Sequence, residues 1–362
     1  MRRPVYVHPL DYPTGVKYCL TDIRLDSEYS PGPENFFVDE IIDWRRLGFS
    51  RSGGNYIVYM VVKRGIDTFR MIDYFSWDLG IPKSNIVFLG LKDRDATSRQ
   101  YVFVKQSILR NPPIEITGTR YSARLIGYVR RKPSKTHLIG NRFKVVIEGS
   151  DKTYETAKKI MSMISVMGLP SYYGYQRFGA RRPNTHLLGK YIVENRLDLF
   201  LDELLNRVYP GEHVESLMMR LGKRFTRRLF FEYQFIRRGV LELPGMLRSD
   251  RHLFMLLVDA YQSYLYNLLL SRIIEVDGWD RLNEEYPVPA CRSSRLYTEY
   301  LGIDTSPLVE VGAGCWWRRG LFYPRDIYVG RGNGLVILGF TLDKGMYASI
   351  VLRELFKDKL LF

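Results

Sequence analysis

The order of strand and helix signals along the chain constrains its fold more than any other sequence feature. Runs rich in β-branched and aromatic residues indicate strands, and apolar residues repeating every three or four positions indicate helices. The first half of the chain gives strand, helix, strand, strand, strand and helix signals, at residues 55–63, 68–79, 85–89, 101–105, 143–148 and 154–167. This irregular order favours an α+β fold over a doubly wound parallel sheet, in which strands and helices alternate.

The second half of the chain predicts a long helix at 253–274, a buried strand at 334–341 and a helix at 346–355. A chain of 362 residues is long enough for two domains. The texture changes between residues 196 and 322, where helical stretches give way to an irregular part containing proline and cysteine. We therefore predict one domain from residues 1–195 and 323–362, with 196–322 inserted into it as a second domain.

The charge of the chain indicates a polyanionic partner. It carries 54 lysine and arginine residues against 39 aspartate and glutamate residues, a formal net charge of +15. Nucleic acid is the first candidate, because neutralising phosphates releases condensed counterions. A basic but unspecialised surface is the alternative.

Two segments, 120–135 and 220–238, concentrate basic residues and interleave them with aromatic residues. Basic side chains contact phosphates, and aromatic rings stack on unpaired bases. The alternative is a solvated face whose aromatic residues turn into the core. The predicted contacts to an RNA backbone are Arg130, Arg131, Lys132, Arg224, Arg227 and Arg228.

The cysteine pattern and the apolar runs exclude several classes of protein. Cys19, Cys291 and Cys315 are odd in number and lack C-x-x-C spacing, so we expect neither a zinc site nor a disulfide framework. The first ten residues lack the apolar stretch of a signal peptide, and we find no run of about 18 apolar residues. We expect a soluble protein of a reducing cytoplasm.

The densest polar segment near the predicted strands is residues 90–100 (GLKDRDATSRQ). One interpretation is an exposed turn with solvated charges. A second is half of an oxygen-ligand site for Mg²⁺, formed by Asp93 and Asp95. A third is a lone carboxylate at Asp93, kept ionised by Lys92 and Arg94 and able to act as nucleophile or base.

This segment resembles the signature loop of the TruD family of tRNA pseudouridine synthases, with Ser98 where the family has threonine. Five more segments resemble family motifs in the same order, at residues 34–41 (ENFFVDEI), 140–143 (GNRF), 168–179 (GLPSYYGYQRFG), 262–267 (QSYLYN) and 345–354 (GMYASIVLRE). The resemblance implies a pseudouridine synthase catalytic domain with a mixed, mainly antiparallel sheet flanked by helices. It also implies an inserted α+β TRUD domain at 196–322.

The resemblance further implies an enzyme that isomerises a specific uridine in tRNA to pseudouridine, a reaction that needs neither a metal nor a redox cofactor. The sequence does not indicate the oligomeric state, and we expect a monomer. The target nucleotide must leave its stack to be reached. Asp93 takes the position of the catalytic carboxylate, and Tyr173 stands where the family has the phenylalanine that we expect to stack on the base. A residue of the hydrophobic core is the alternative for Tyr173. Ser171 replaces an asparagine, and its shorter side chain cannot make both amide hydrogen bonds.

The remaining site residues follow from the same motifs. Lys92 is expected to pair with a phosphate or to position the catalytic carboxylate. Gln176 and Arg177 are expected to order their loop or to contact phosphate, and Gln100 and Asn141 to brace loops near the site. Family members often carry a basic residue just before the first motif, but residues 29–33 supply none and Arg24 is out of register. The cationic partner of the catalytic carboxylate thus stays unassigned.

Two other functions remain open from the sequence. One is a non-catalytic protein that binds structured RNA. The other is a Mg²⁺-dependent ribonuclease that uses Asp93 and Asp95.

Overall fold

The computed structural model describes residues 3–179, 182–196, 198–200, 203, 251–291 and 295–362. Its contacts divide the chain into two compact units. The first unit holds the described residues of Met1–Asp22, Leu169–Phe322 and Ser349–Val351. The second holds Ile23–Gly168, Tyr323–Ala348 and Leu352–Phe362. The predicted insert at 196–322 falls inside the first unit, and its boundaries stay a prediction.

The regular elements are numbered in chain order. The strands are β1 Phe36–Ile42, β2 Phe49–Ser50, β3 Tyr56–Arg64, β4 Ile86–Phe88, β5 Thr97–Lys105, β6 Glu115–Gly118, β7 Tyr121–Val129, β8 Leu138–Glu148, β9 Leu169–Pro170, β10 Glu285–Pro287, β11 Trp317–Arg319, β12 Leu321–Phe322, β13 Arg325–Gly332 and β14 Leu335–Asp343. The helices are α1 Asp11–Thr14, α2 Trp44–Leu47, α3 Thr68–Leu79, α4 Asp151–Met167, α5 Thr185–Val193, α6 Arg251–Val276, α7 Arg295–Leu301, α8 Ser306–Glu310 and α9 Ala348–Phe356.

The second unit is built on a ten-stranded sheet. Its order is β13-β14-β8-β1-β5-β3-β7-β2, with β4 paired to β5 and β6 paired to β7. The pair β1–β5 is parallel, and the other strand pairs of the described sheet are antiparallel. The predicted α+β class with a mixed, mainly antiparallel sheet is confirmed.

Helix α3 shows how local signals set an element of this unit. Asp67 accepts a hydrogen bond from the backbone N–H of Arg70 and caps the first turn. Gly80 ends the helix in the left-handed conformation, with φ of 63°. The apolar stripe of the helix packs into a core with β3, β5 and β7. The predicted helix at 68–79 therefore has the observed bounds.

The first unit contains the long helix α6, which was predicted at 253–274. Helix α5 packs closely against it at Gly189, where a Cβ atom would lie 2.0 Å from the carbonyl oxygen of Leu257. By length and composition α6 is the one helix among the described residues that could span a membrane, with a mean hydropathy of 1.2. Most of that stretch is buried inside the protein, as in a core helix.

A disulfide joins Cys291 to Cys315 in the first unit, with their Cα atoms 4.9 Å apart. The segments that carry them run side by side, since the N–H of Val288 donates to the carbonyl of Trp316 at 3.0 Å. The sequence analysis expected no disulfide framework and did not foresee this single disulfide, because pairing across β10 and β11 is a tertiary contact that spacing in the sequence does not reveal. Cys19 is a buried free thiol.

Candidate active site

The loop between β4 and β5, residues 89–96, is called the Asp93 loop below. The side chain of Asp93 at its centre is exposed, whereas Lys92 and Ala96 on either side are buried. No described residue donates a hydrogen bond to the Asp93 carboxylate oxygens. The loop thus presents a carboxylate that is open to solvent and uncommitted within the described part of the chain.

Lys63, at the end of β3, holds the loop at its centre. Its Nζ donates to the backbone carbonyl of Asp93 at 2.7 Å and to that of Ile66 at 2.7 Å. Lys63 is fully buried, so water does not compete for these hydrogen bonds.

Thr68, the first residue of α3, holds the loop one residue earlier. Its Oγ1 accepts a hydrogen bond from the backbone N–H of Lys92 at 2.9 Å and donates to Oε1 of Gln100 at 3.2 Å. Both side chains are buried. The predicted bracing role of Gln100 fits this contact, which reaches the loop through Thr68.

A buried ion pair holds the loop from β1. Nζ of Lys92 lies 2.6 Å from Oε1 of Glu40, and the two side chains are 3% and 1% exposed. The other Glu40 oxygen accepts from the N–H of Tyr101 at 3.0 Å. A Cβ on Gly90 would lie 2.8 Å from the Lys92 nitrogen and 3.0 Å from Glu40 Oε1. The glycine of the motif is therefore required by the ion pair.

Charges around Asp93 act in opposite directions on its pKa. Desolvation by the surrounding protein is the largest effect and raises the pKa of the Asp93 carboxyl. The positive charges of Lys63 and Lys92 lower this pKa, and the negative charge of Asp95 raises it. The net result is a pKa above the ordinary value of an aspartate. An exposed side chain can show this effect because it meets water on one side while protein occupies the rest of its surroundings. Arg94, which the sequence suggested as a cationic partner, contacts Asp95 at 3.2 Å instead.

Lys63 is a buried contact of the Asp93 loop that the sequence analysis did not single out. Burial lowers its pKa to about 8, against the raising effects of Asp93, Asp67 and Asp95. The sequence does contain a signal for it, because period-two alternation places Lys63 on the buried face of β3 with Val61. Arg24, the other candidate cation, pairs with Asp358.

Polar side chains continue from the loop across one face of the sheet. The strand registers place Lys63 opposite Ser98, and Glu40 opposite Asn141, with Gln100 two residues beyond Ser98 on the same face. Ser98 Oγ, Gln100 Nε2 and Asn141 Oδ1 are buried atoms without a hydrogen-bond partner in the described protein. Gln100 and Asn141 thus belong to the polar face that supports the Asp93 loop.

Tyr173, in the first unit, is held on several sides. Asn267 accepts from its N–H at 2.8 Å and donates to its carbonyl at 3.1 Å. Trp316 Nε1 donates to its hydroxyl at 3.2 Å. The Arg318 guanidinium lies 4.4 Å above the ring, and Tyr266 packs edge-on with its centroid at 5.6 Å. The ring is buried, and its orientation is fixed by these contacts.

The neighbours of Tyr173 in the same motif have separate contacts. The Ser171 hydroxyl donates to the carbonyl of Arg319. Arg177 lies 3.3 Å from Asp259 on α6, while Gln176 is exposed. Of the residues that the sequence analysis did not assign to the site, Asn267 lay in a quoted motif, whereas Trp316 and Arg318 had no sequence signal.

The basic segment that follows β7 is solvent-facing. Arg130, Arg131 and Lys132 are exposed, and none of them has an ion-pair partner among the residues that the structure describes. Tyr121 lies in the predicted basic segment 120–135, at the start of β7, and packs into the core. This agrees with the alternative to base stacking, in which the aromatic residues of the segment turn into the core. The other predicted backbone contacts, Arg224, Arg227 and Arg228, lie outside the described residues.

Among the described residues, no group of three His, Cys, Asp or Glu side chains could hold a metal ion. Asp93 and Asp95 therefore do not form part of a larger carboxylate cluster within that part of the chain.

Comparison with known proteins identifies a family. The family model described as tRNA pseudouridine synthase D (TruD) matches residues 17–289. A relative from Pyrobaculum islandicum, named "Probable tRNA pseudouridine synthase D", is 27% identical, with 97% of each chain covered. A relative of the same name from Thermococcus onnurineus is 31% identical over 72% of this chain and 64% of its own.

The fold has a counterpart among solved structures. A crystal structure of a candidate tRNA pseudouridine synthase D from Methanosarcina mazei superposes with a TM-score of 0.67, at 22% identity, covering 99% of each chain. The resemblance drawn from six sequence motifs is confirmed by the family match. The chain belongs to the tRNA pseudouridine synthase D (TruD) family.

Proposed function

We propose that Asp93 is the catalytic carboxylate with which this member of the TruD family isomerises a uridine of tRNA to pseudouridine. The observation that carries this assignment is the Asp93 loop itself. Its carboxylate is exposed and uncommitted among the described residues, while the loop is held by three buried side chains. Lys63 and Thr68 bind the loop backbone, and Glu40 pairs with the side chain of Lys92. Preorganised support of this kind suits a reacting group.

The chemistry requires one ionised carboxylate and no change of oxidation state. The N1–C1′ bond breaks, the uracil turns, a C5–C1′ bond forms, and the proton lost from C5 is balanced by one gained at N1. Asp93 would attack C1′, add to the base or remove the C2′ proton, and each route starts from its ionised form. The two lysine charges favour that form against the effect of desolvation.

The other site residues support the reaction in different ways. Lys92 acts as an anchor of the loop, because its ammonium is buried and paired with Glu40. In this position the ammonium is not accessible to a phosphate of the RNA. We assign Tyr173 to base stacking on its motif position. In the structure its ring is buried and the Arg318 guanidinium lies over one face, as in the core position that is the alternative. The RNA backbone is contacted by three exposed basic residues, Arg130, Arg131 and Lys132.

The remaining substrate contacts are proposed on their motif positions. Asn141 and Gln100 stabilise the polar face behind the loop, while Gln176 and Arg177 order the segment after Tyr173. Ser171 braces the same segment through its contact with Arg319. We further propose that the protein acts as a monomer in the cytoplasm.

The test is incubation with unmodified tRNA transcripts in EDTA and, in parallel, in Mg²⁺, followed by mapping of pseudouridine at nucleotide resolution and a check of the RNA for cleavage. Asp93→Asn should reduce the rate by at least about 10³-fold and leave tRNA affinity equal or higher, because one negative charge is lost. Asp95→Asn is the matched control, since Asp95 is an exposed neighbour engaged with Arg94, and it should be mild.

The outcomes separate the alternatives. Tight tRNA binding without modification would indicate a non-catalytic binding protein. RNA cleavage that requires Mg²⁺ and stops in EDTA would indicate a ribonuclease. Full activity of Asp93→Asn would remove Asp93 from the mechanism.

A further inference from the structure

A lysine that is fully buried in a sheet needs a specific reason to be there, because an unpaired charge in such a place is strongly unfavourable. Lys63 is 0% exposed and directs its ammonium at two backbone carbonyls, those of Ile66 and Asp93. Carbonyl oxygens satisfy N–H groups but carry no net charge. A carboxylate must therefore supply the compensating charge.

Three carboxylates act on Lys63, from Asp93, Asp67 and Asp95, and Lys92 opposes them as a like charge. Asp67 caps α3 through its Oδ1 atom, which accepts from Arg70. Asp95 contacts Arg94, and Lys92 is paired with Glu40. The carboxylate of Asp93 is thus the one of the three to which no described residue donates a hydrogen bond.

We propose that Lys63 is the positioning residue of Asp93, fixing its backbone through the carbonyl oxygen and supplying the positive charge that keeps its carboxylate ionised. This inference rests on the proposed role of Asp93. It fills the place of the cationic partner that the sequence left unassigned, with a residue from β3 rather than from the segment before the first motif.

The proposal gives activity a defined dependence on pH. Below about pH 8 Lys63 is charged, and above it the ammonium loses its proton. We expect kcat to fall as pH rises through about 8, because the field on Asp93 and the donor strength of Lys63 both decline. A second fall at acid pH should reflect protonation of Asp93, at a pH above its ordinary value of 3.8.

The titration of Lys63 acts on stability and on activity in opposite directions. The pKa of Lys63 is lower in the folded protein than its ordinary value of 10.5, so between about 8 and 10.5 the unfolded chain binds more protons at this residue. The contribution of Lys63 to the free energy of unfolding therefore increases as pH rises through this window. A loss of kcat as pH passes about 8 would therefore not be a consequence of unfolding driven by Lys63.

The test compares Lys63→Met with Thr68→Val, which removes an uncharged anchor of the same loop. Both should lower kcat by about 10²-fold at neutral pH with KM for tRNA changed less than about threefold. The acid limb is the part of the profile in which kcat falls at low pH. In Lys63→Met the acid limb should lie about one pH unit higher than in wild type, because the positive charge that lowers the pKa of Asp93 has been removed. In Thr68→Val the acid limb should stay in place. Lys63→Arg, whose guanidinium does not titrate, should extend the plateau beyond pH 8.

The acid limb decides the proposal. An acid limb of Lys63→Met that coincides with those of wild type and Thr68→Val would overturn it, since a merely structural lysine would not move the pKa of Asp93. Should Lys63→Met fail to fold, the wild-type protein carries the decision, and a kcat that stays level from pH 7 to 10 would refute the inference. Asp93→Asn is measured alongside, because its full activity would refute the proposed role of Asp93, on which this inference rests.

Discussion

Replacing Glu40 by Gln should destabilise the second unit strongly, although it changes one atom. The substitution leaves the Lys92 ammonium buried beside a neutral amide, with the two side chains only 3% and 1% exposed. Removing one partner from a buried ion pair typically costs about 3–5 kcal/mol. For a unit of this size that corresponds to a decrease in Tm of roughly 6–20 °C.

The neighbouring residue provides the matched control. Asp39 lies one position earlier on β1, on the opposite face, and pairs with Arg99 at 2.6 Å. These side chains are 36% and 43% exposed, and exposed pairs contribute about 0–1 kcal/mol. Asp39→Asn should therefore change the free energy of unfolding by less than about 1 kcal/mol.

The assay is urea unfolding followed by circular dichroism, with Tm measured in parallel. The double variant Glu40→Gln/Lys92→Met removes both charges and should be more stable than Glu40→Gln alone, because no unpaired charge remains. Equal losses for Glu40→Gln and Asp39→Asn would refute the reasoning. The reasoning would also be refuted if the stability lost in Glu40→Gln/Lys92→Met equalled the sum of the losses in Glu40→Gln and in Lys92→Met.

Three further variants test other parts of the structure. Gly90→Ala places a Cβ close to the buried ion pair and should lower the single-turnover rate constant by up to about 10²-fold, measured with enzyme in excess over tRNA. Exchanging Arg130, Arg131 and Lys132 together for Gln should raise KM with kcat unchanged and reduce the slope of log affinity against log salt by up to about 0.9 per lost phosphate contact. Gly189→Ala places a Cβ against a carbonyl oxygen of the adjacent helix and should lower the free energy of unfolding by about 1–3 kcal/mol, measured by urea titration.

The bounds of an element could be predicted where the residues that start and end it lie next to it in the sequence. The helix at 68–79 has its apolar stripe, its Asp67 cap and its terminal glycine within a short window, so its bounds were predictable. The strand predicted at 101–105 begins at Thr97 instead. Its first residues are polar because they pair with β1 beside the Asp93 loop, and the alternation of apolar residues therefore starts late.

Features that depend on tertiary contacts could not be read from the sequence. The disulfide between Cys291 and Cys315 arises where β10 and β11 pair. Arg318 is turned towards Tyr173 by the same two strands, whereas its neighbours Trp317 and Arg319 are exposed. A strand of three residues is too short to be recognised by alternating apolar and polar residues. The sequence therefore did not distinguish the buried Arg318 from the exposed Arg319.

The Asp93 loop combines two requirements that ordinarily conflict. A group that reacts with a large substrate must be accessible, yet an exposed loop is the most mobile type of segment. Here the side chain of Asp93 is exposed while the holding contacts are made by its backbone and by Lys92, through side chains that are buried in β1, β3 and α3. Because the anchors lie in regular elements, access to the carboxylate can be varied by changes in Leu91 or Arg94 without loosening the loop. Mutations that impair the chemistry without touching RNA should therefore cluster at the buried anchors, of which Lys63 and Lys92 also act on the Asp93 carboxylate through their positive charges.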